Sequence, residues 1–470
     1  WSDSGSGIYV VPALGGEERR LADVDYAYPP MMGIAWSPDG KSLVFADAPE
    51  VSALWVLSVE TLQRRPLATE TRCLLAGHPA FSPDGRTLAF TCSQDYAAYA
   101  IYTVPKEGGR ATQIAQMMGI PQGITWSRDG ARLVFSNDPG VSEGRLWSVD
   151  LTTHRLEALP LSEDARQPAF SPDGTRLAFV RGSDNVNIWK LDAPSYRNAR
   201  RFIASTRIQH SPRYSPDGRH IAFQSTRSGA HEVWLADADG SNPVAATHFN
   251  SGISGSPRWC SDSRRIAFDS RLNGPSSVYI EDILERVPRR IQTNLAEISL
   301  PTWSQDCHYL YVVAGAAKTA LYRVPAQGGE AALVHNGVAI NASESADGRA
   351  LFFADAFENA RIQQLTPEQG DVRPLAGMPR VRDGTSWEVT RDGIYFVDAG
   401  SPQAAIGHFE FATGSARELA RMSHPIVPWT GLSVSPLDRS LLYSQTDEKS
   451  SEIMLAEFGN GAPSRAGTHP

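Results

Sequence analysis

The sequence predicts an all-β fold made of tandem rings of four-stranded antiparallel sheets, and three observations carry that expectation. A hairpin phrase occurs ten times, its period is 41 to 45 residues, and a third apolar strand follows in most copies. The same repeats arranged as one large single ring are the alternative.

The phrase is an apolar couplet, then Ser-Pro-Asp-Gly or a near copy, then a second apolar run. It reads Ala35-Trp36-Ser37-Pro38-Asp39-Gly40 before Leu43-Val44-Phe45, and Ala80-Phe81-Ser82-Pro83-Asp84-Gly85 before Leu88-Ala89-Phe90. The slot held by Asp39 recurs at 84, 129, 173, 217, 262, 306, 347, 392 and 437. Proline presets φ for a type I turn, aspartate bonds nearby backbone, and glycine accepts the left-handed conformation that closes the hairpin. An aromatic lies three residues before most slots (Trp36, Phe81, Trp126, Phe170, Tyr214, Trp259, Trp303). The run after the turn, such as Leu177-Ala178-Phe179, is continuous enough for a strand buried on both faces.

About twenty residues further on comes the third strand, as in Leu54-Trp55-Val56-Leu57 or Val233-Trp234-Leu235. A second turn follows, for example Pro105-Lys106-Glu107-Gly108-Gly109 or Asp237-Ala238-Asp239-Gly240, and leads to a more polar outer strand. Four antiparallel strands per 45 residues make the blade of a β-propeller.

Ten blades exceed the usual four to eight of one ring, so two rings are expected. The least regular connector, residues 192–201, places the division after 204. Residues 1–204 are then an N-terminal propeller truncated at its start, because residues 8–16 reproduce only a third strand and second turn. Residues 205–470 are a six-bladed C-terminal propeller whose last repeat lacks a fourth strand, for which residues 201–205 are the expected loan. Cys260-Ser261-Asp262-Ser263 and Ser304-Gln305-Asp306-Cys307 lose the turn glycine, which reads as relaxed turn geometry, and the Asp392-Gly393 hairpin is shorter by two residues.

A net charge of −8, from 44 basic and 52 acidic residues, gives no reason to expect direct nucleic-acid binding by this segment. No stretch reaches the roughly 18 apolar residues of a membrane span, so no membrane insertion by this segment is expected. The cysteines, Cys73, Cys92, Cys260 and Cys307, show no metal-ligand spacing and read as isolated small side chains; a Cys73 to Cys92 pairing stays open.

No catalytic constellation emerges. The Gly-x-Ser-x-Gly spacing of a nucleophile elbow does not occur, and Gly252-Ile253-Ser254-Gly255-Ser256 reads as a connector. The segment Asp237 to Gly240 reads as a turn rather than a calcium loop. No cofactor motif is found, and no metal, cofactor or catalytic residue is assigned. The candidate surface is one channel mouth of the second ring, where loops supply His210, Arg213, Arg227, Arg258, Asp269 and Arg271. A basic mouth suits a small anionic ligand or a protein partner's acidic segment, whereas pairing with local acids and carbonyls would make the arginines structural.

The Ser-Pro-Asp-Gly hairpins in 44 to 45 residue units resemble the TolB-type β-propeller repeat from Ile8 to Phe458. Longer strings (residues 8–16, 205–207, 238–243, 257–259, 265–271 and 447–455) resemble the propeller half of bacterial winged-helix regulators of the CadC-like kind. That resemblance implies a non-enzymatic sensing or protein-interaction propeller of a one-component transcriptional regulator, with the DNA-binding domain outside this chain. It further implies the periplasmic face of a membrane-anchored protein, with the cytoplasm left open. The alternatives are an accessory propeller of a prolyl-oligopeptidase-type hydrolase and a free-standing periplasmic TolB-like interaction protein.

Overall fold

In the computed structural model the turn phrase closes by the same hydrogen bonds from copy to copy. In the first, Ser37 Oγ donates to Asp39 Oδ1 at 2.6 Å, the Lys41 amide donates to the same oxygen at 3.0 Å, and the Gly40 amide donates to Ser37 O at 2.8 Å. The set recurs around Asp84, Asp129, Asp173, Asp217, Asp306 and Asp347. These bonds favour the charged carboxylate, so each of these aspartates is held below its ordinary pKa, in most by the serine hydroxyl first. At Ser263 and Cys307, which replace the glycine, φ is 58° and 57°, and the closing amide bond remains. The turn geometry is therefore kept rather than relaxed, at the cost of a side chain in the left-handed region.

The structure describes residues 7–24, 33–47, 53–71, 73, 75–93, 98–118, 120–138, 144–250, 252–272, 275–315, 320–366, 370–400, 404–422, 424, 426–427, 430–459 and 462–464. Among them there is no helix, and most strands fall into four-stranded antiparallel sheets. The opening residues 1–7 read from sequence as the loop after a second strand; of them only Gly7 is described, and it starts the strand Gly7–Val10.

Six residues after the turn slot, Phe45, Phe90, Phe135, Phe223, Phe268 and Phe353 sit in the second strand, each at most 1% exposed. A fully buried phenylalanine contributes about 2–3 kcal/mol relative to an exposed one, so this repeated position anchors every sheet that has it. Most first strands carry a bulge near the sixth residue before the slot, where His78, Gln167, Ser211, Ser256, Leu300 and Asn341 adopt φ between 46° and 56°. The tryptophan before the turn fastens its sheet to the preceding one. Trp126 Nε1 donates to Ala80 O, Trp259 to Arg213 O and Trp303 to Arg258 O, at 3.0, 3.0 and 3.1 Å.

The chain divides into two compact units: residues 1–183 with 450–470, and residues 184–449. This departs from the expected boundary at 204 and 205. Two long strands, Arg176–Leu191 and Leu441–Gly459, each run from one unit into the other, so no loop marks the division.

In the first unit the sheets begin with the pair Gly7–Val10 and Arg19–Asp23, followed by three four-stranded sheets within residues 34–163. Its last sheet combines Ala165–Phe170, residues 176–183, residues 450–459 and Ala462–Ser464. The final repeat thus does have an outer strand, at Ala462–Ser464, though this serves the first unit.

In the second unit five four-stranded sheets lie within residues 209–421, beside a two-stranded pair of Glu358–Ala360 and Val381–Asp383, and a sixth four-stranded sheet combines Leu432–Val434, residues 441–449, residues 184–191 and Ala199–Ile203. The loan extends to two strands, because residues 453–458 complete the other unit and residues 184–191 take their place. The first strands, Gln209–Tyr214, Ser254–Trp259, Ser299–Trp303, Ile340–Glu344, Trp387–Val389 and Leu432–Val434, pack each on the next and the last on the first, which closes a ring of six sheets.

All four cysteines are paired, which corrects the expectation of isolated side chains. Cys73 bonds Cys92 and Cys260 bonds Cys307, with Cα separations of 5.4 and 5.7 Å. The repeat brings the second pair together, since Cys260 precedes one turn and Cys307 closes the next, on neighbouring sheets.

Candidate functional site

The site is built from a single register position of the repeat, four residues before the turn slot. Around the ring of the second unit this position holds Arg213, Arg258, Thr302, Ser343, Glu388 and Ser433, facing Ala222, Ala267, Tyr311, Phe352, Tyr395 and Leu442 on the second strands. The residue after it packs on the preceding sheet, as Trp259 and Trp303 do. Strand alternation turns the position itself toward the following sheet. Ser433 Oγ accordingly accepts the Tyr214 amide at 3.0 Å, and Glu388 Oε2 accepts the Val434 amide at 3.1 Å.

An arginine cannot accept such a bond, and the two arginines reach elsewhere. Arg213 Nη1 donates to Leu432 O and lies 3.5 Å from Glu388 Oε2, two sheets back around the ring. Arg258 Nη2 donates to Asn341 Oδ1 at 2.5 Å, two sheets forward. Side chains that join non-adjacent sheets of a closed ring must cross its middle, so both guanidinium groups lie there. Gly431 makes room: at φ 73°, a Cβ there would stand 2.5 Å from Arg213 Nη2.

The electrostatics follow from depth. Burial first, and then neighbouring Arg213, pull Arg258 well below the usual arginine range. Burial pushes Glu388 up, although both arginines act against it. Its side chain remains 29% exposed, so solvent reaches the cluster.

The other expected residues are placed as follows. Asp269 accepts the Leu300 amide at 3.0 Å and is raised by burial, with Arg271 opposing. Arg271 lies 3.8 Å from Glu297. His210 faces His231 at 5.8 Å between ring centroids and bonds Ser211 Oγ; burial lowers it to about 4, and burial followed by His210 lowers His231 to about 3. Arg227 is engaged inside its own sheet. It donates to Gln209 Oε1 at 2.7 Å and to Ser225 Oγ, and stacks over Phe223 and Trp234.

The structure therefore brings Arg213 and Arg258 together across the ring, with Asp269 in electrostatic reach of Arg258, while Arg271 pairs with Glu297 and Arg227 stays inside its own sheet. Arg213 and Arg258 sit in the first strands themselves rather than in loops. Glu388, Asn341 and Thr302 were missed, though a signal existed: the couplet's first member is alanine at 35, 80 and 169 but polar at all six positions of the second unit. The segment Asp237 to Gly240 is a turn in which Asp239 accepts the Ser241 amide and hydroxyl.

The sheet pattern and the closed inner strands define a β-propeller. The family profile described as the TolB beta propeller domain matches residues 9–159, 141–250 and 230–462, and the chain belongs to that family. The Tol-Pal system protein TolB of Francisella tularensis subsp. mediasiatica is 25% identical over 170 residues, 35% of this chain and 38% of that protein. The match thus spans well under half the length of that curated relative. Among solved structures, TolB from Acinetobacter baumannii aligns with 70% of this chain and 75% of its own, at 13% identity and a TM-score of 0.32. Oligogalacturonate lyase from Vibrio parahaemolyticus aligns with 85% and 95%, at 14% identity and a TM-score of 0.24.

Proposed function

We propose that this chain is the non-enzymatic sensing and protein-interaction region of a bacterial one-component transcriptional regulator, and that it receives a protein partner or a small anionic ligand at the ring of the second unit. The observation that carries this reading is the pair of arginines crossing the ring, with Glu388 the one carboxyl within ion-pair distance of either among the described residues. A basic, partly solvated recess on a rigid closed scaffold is a recognition element. The DNA-binding domain and the membrane anchor would lie outside this chain. The two disulfides favour an oxidising setting such as the periplasm.

A second reading, a free-standing periplasmic interaction protein, draws on the same disulfides and on the TolB relatives. Topology reporters fused along the complete reading frame in the native host separate the two. A winged helix on the cytoplasmic side of a membrane span is expected, and a secretory leader directly before the first blade sinks the regulator reading. For the partner, a photo-cross-linking residue at Leu272, beside Arg271, in the full-length protein should capture one discrete species. Reversing the charges of Arg258 and Arg271 together should abolish that capture without loss of the thermal transition. Loss of the transition instead would make the arginines structural.

A further inference from the structure

We infer that the middle of the second unit's ring is a receptor site for one carboxylate group, held between the guanidinium groups of Arg213 and Arg258. The inference rests on the proposed reading of this ring as a binding element and adds the chemistry of what it binds.

The two guanidinium groups differ in their partners. Arg213 has Glu388 at 3.5 Å. Arg258 donates to neutral oxygens, Asn341 Oδ1 at 2.5 Å and Pro257 O at 3.3 Å, and has no ion pair among the described residues. Asp269 is the other carboxyl that Arg258 feels, and it is offset by Arg271, which itself meets Glu297. His210 and His231 are neutral near pH 7, because burial lowers both. The three arginines and three carboxyls balance in number, yet the Arg258 guanidinium itself has no carboxylate at ion-pair distance among the described residues. Holding a guanidinium without an ion pair away from bulk water is costly, and a counter-anion removes the cost.

Two donors are idle as well. Arg213 Nε is buried without a hydrogen-bond partner, on a side chain 8% exposed. Thr302 Oγ1, at the same register position on the sheet after Arg258, is also buried and unpartnered. Unmade hydrogen bonds at buried polar atoms are rare, and here both belong to the register position that carries Arg258.

A guanidinium presents a planar fork that matches the two oxygens of a carboxylate. A monoanion matches the one guanidinium that lacks an ion pair. A phosphate dianion would bring a second charge against the Glu388 carboxyl, which shares the cluster.

The test is calorimetric titration of the full chain with five probes. Three carry a carboxylate: a capped glycine pentapeptide with one central glutamate, the glutamine version of that peptide with a free C-terminus, and acetate. Two do not: the fully capped glutamine peptide and inorganic phosphate. At least one carboxylate probe should bind at least tenfold more tightly than both controls. The tightest of the three shows whether the group comes from an acidic side chain, a chain end or a small free acid. Arg258→Gln should weaken binding at least tenfold and Arg258→Lys by a smaller factor, since lysine keeps the charge and loses the fork, while Arg227→Gln should leave it unchanged.

Silence of all carboxylate probes, equal or tighter binding of phosphate, or unchanged affinity in a folded Arg258→Gln protein overturns the inference. Should that variant unfold, Thr302→Val decides: a threefold or greater loss supports the site and unchanged affinity overturns it. A cross-linked partner with no carboxylate binding defeats this inference alone. Carboxylate binding with no cross-linked species defeats the partner reading and leaves the site standing.

Discussion

Trp189 donates its indole N–H to Oδ1 of Asp447 at 2.7 Å, joining residues 258 positions apart within the second unit. Asp447 also accepts from Asn187 Nδ2 at 2.5 Å and lies 2.8 Å from Arg201 Nε, with its side chain 2% exposed. One carboxylate thus ties three residues from the start of the unit to a strand at its end, in the sheet that closes the ring. Asp447→Ala leaves Trp189 Nε1 without an acceptor and removes one of the two acceptors of Asn187 Nδ2, and should destabilise the second unit by about 2–3 kcal/mol. Denaturant unfolding followed by tryptophan fluorescence measures it. A change below about 1 kcal/mol would show that the ring closes without this latch.

Gly431 is required twice, by its φ of 73° and by its nearness to Arg213. Gly431→Ala should cost at least 2 kcal/mol, since strain and displacement of a buried guanidinium act together. The same replacement at Gly348, where φ is 69° and a Cβ would meet nothing, should cost only about 1 kcal/mol. Parallel thermal melts compare the two.

Glu281 is fully buried and neither of its carboxylate oxygens has a partner. Burial pushes its pKa to about 7 from the ordinary 4.5, opposed by Arg286 and aided by Asp282 and Glu232. Between those values the unfolded chain releases the proton and the folded chain keeps it. Stability therefore falls as pH rises through this window, and the loss persists above it. Glu281→Gln should flatten the profile and gain roughly 1–2 kcal/mol at pH 8 with little change at pH 4.5. Urea midpoints between pH 4.5 and 8 test both the sign and the window.

The disulfides close spans of 19 and 47 residues. Native protein purified without reductant should show no free thiol, and reduction should lower stability by about 2–4 kcal/mol for each bond. Alkylation mass spectrometry and melts with and without reductant check this. A Cys260→Ser, Cys307→Ser double variant should lose stability in the second unit alone.

The sheets were legible because turn chemistry and strand burial are written locally, in residues such as Asp39 and Phe45 that recur at a fixed spacing. The ring of the second unit was legible to the extent that six slots follow residue 205. Its closure was not, because residues 184–191 and 453–458 both read as third strands and nothing local says which sheet each will join. That choice is made by Asp447 meeting Trp189 and by Met454 packing with Leu177 and Phe179. The candidate site was half legible. Arg213 and Arg258 were expected at the channel mouth from their place in the repeat, whereas Glu388 and Asn341 join them only through the curvature of a closed ring. The disulfide between Cys260 and Cys307 was hidden for the same reason, since its partners lie 47 residues apart in neighbouring sheets.

The two strands that pass from unit to unit also set an order of assembly. A ribosome that has released residue 449 has supplied every strand of the ring of six, whereas the other unit still lacks residues 450–464 of its last sheet. The unit that begins later in the chain is therefore the first able to finish folding. The earlier one waits with an open edge until the last residues emerge.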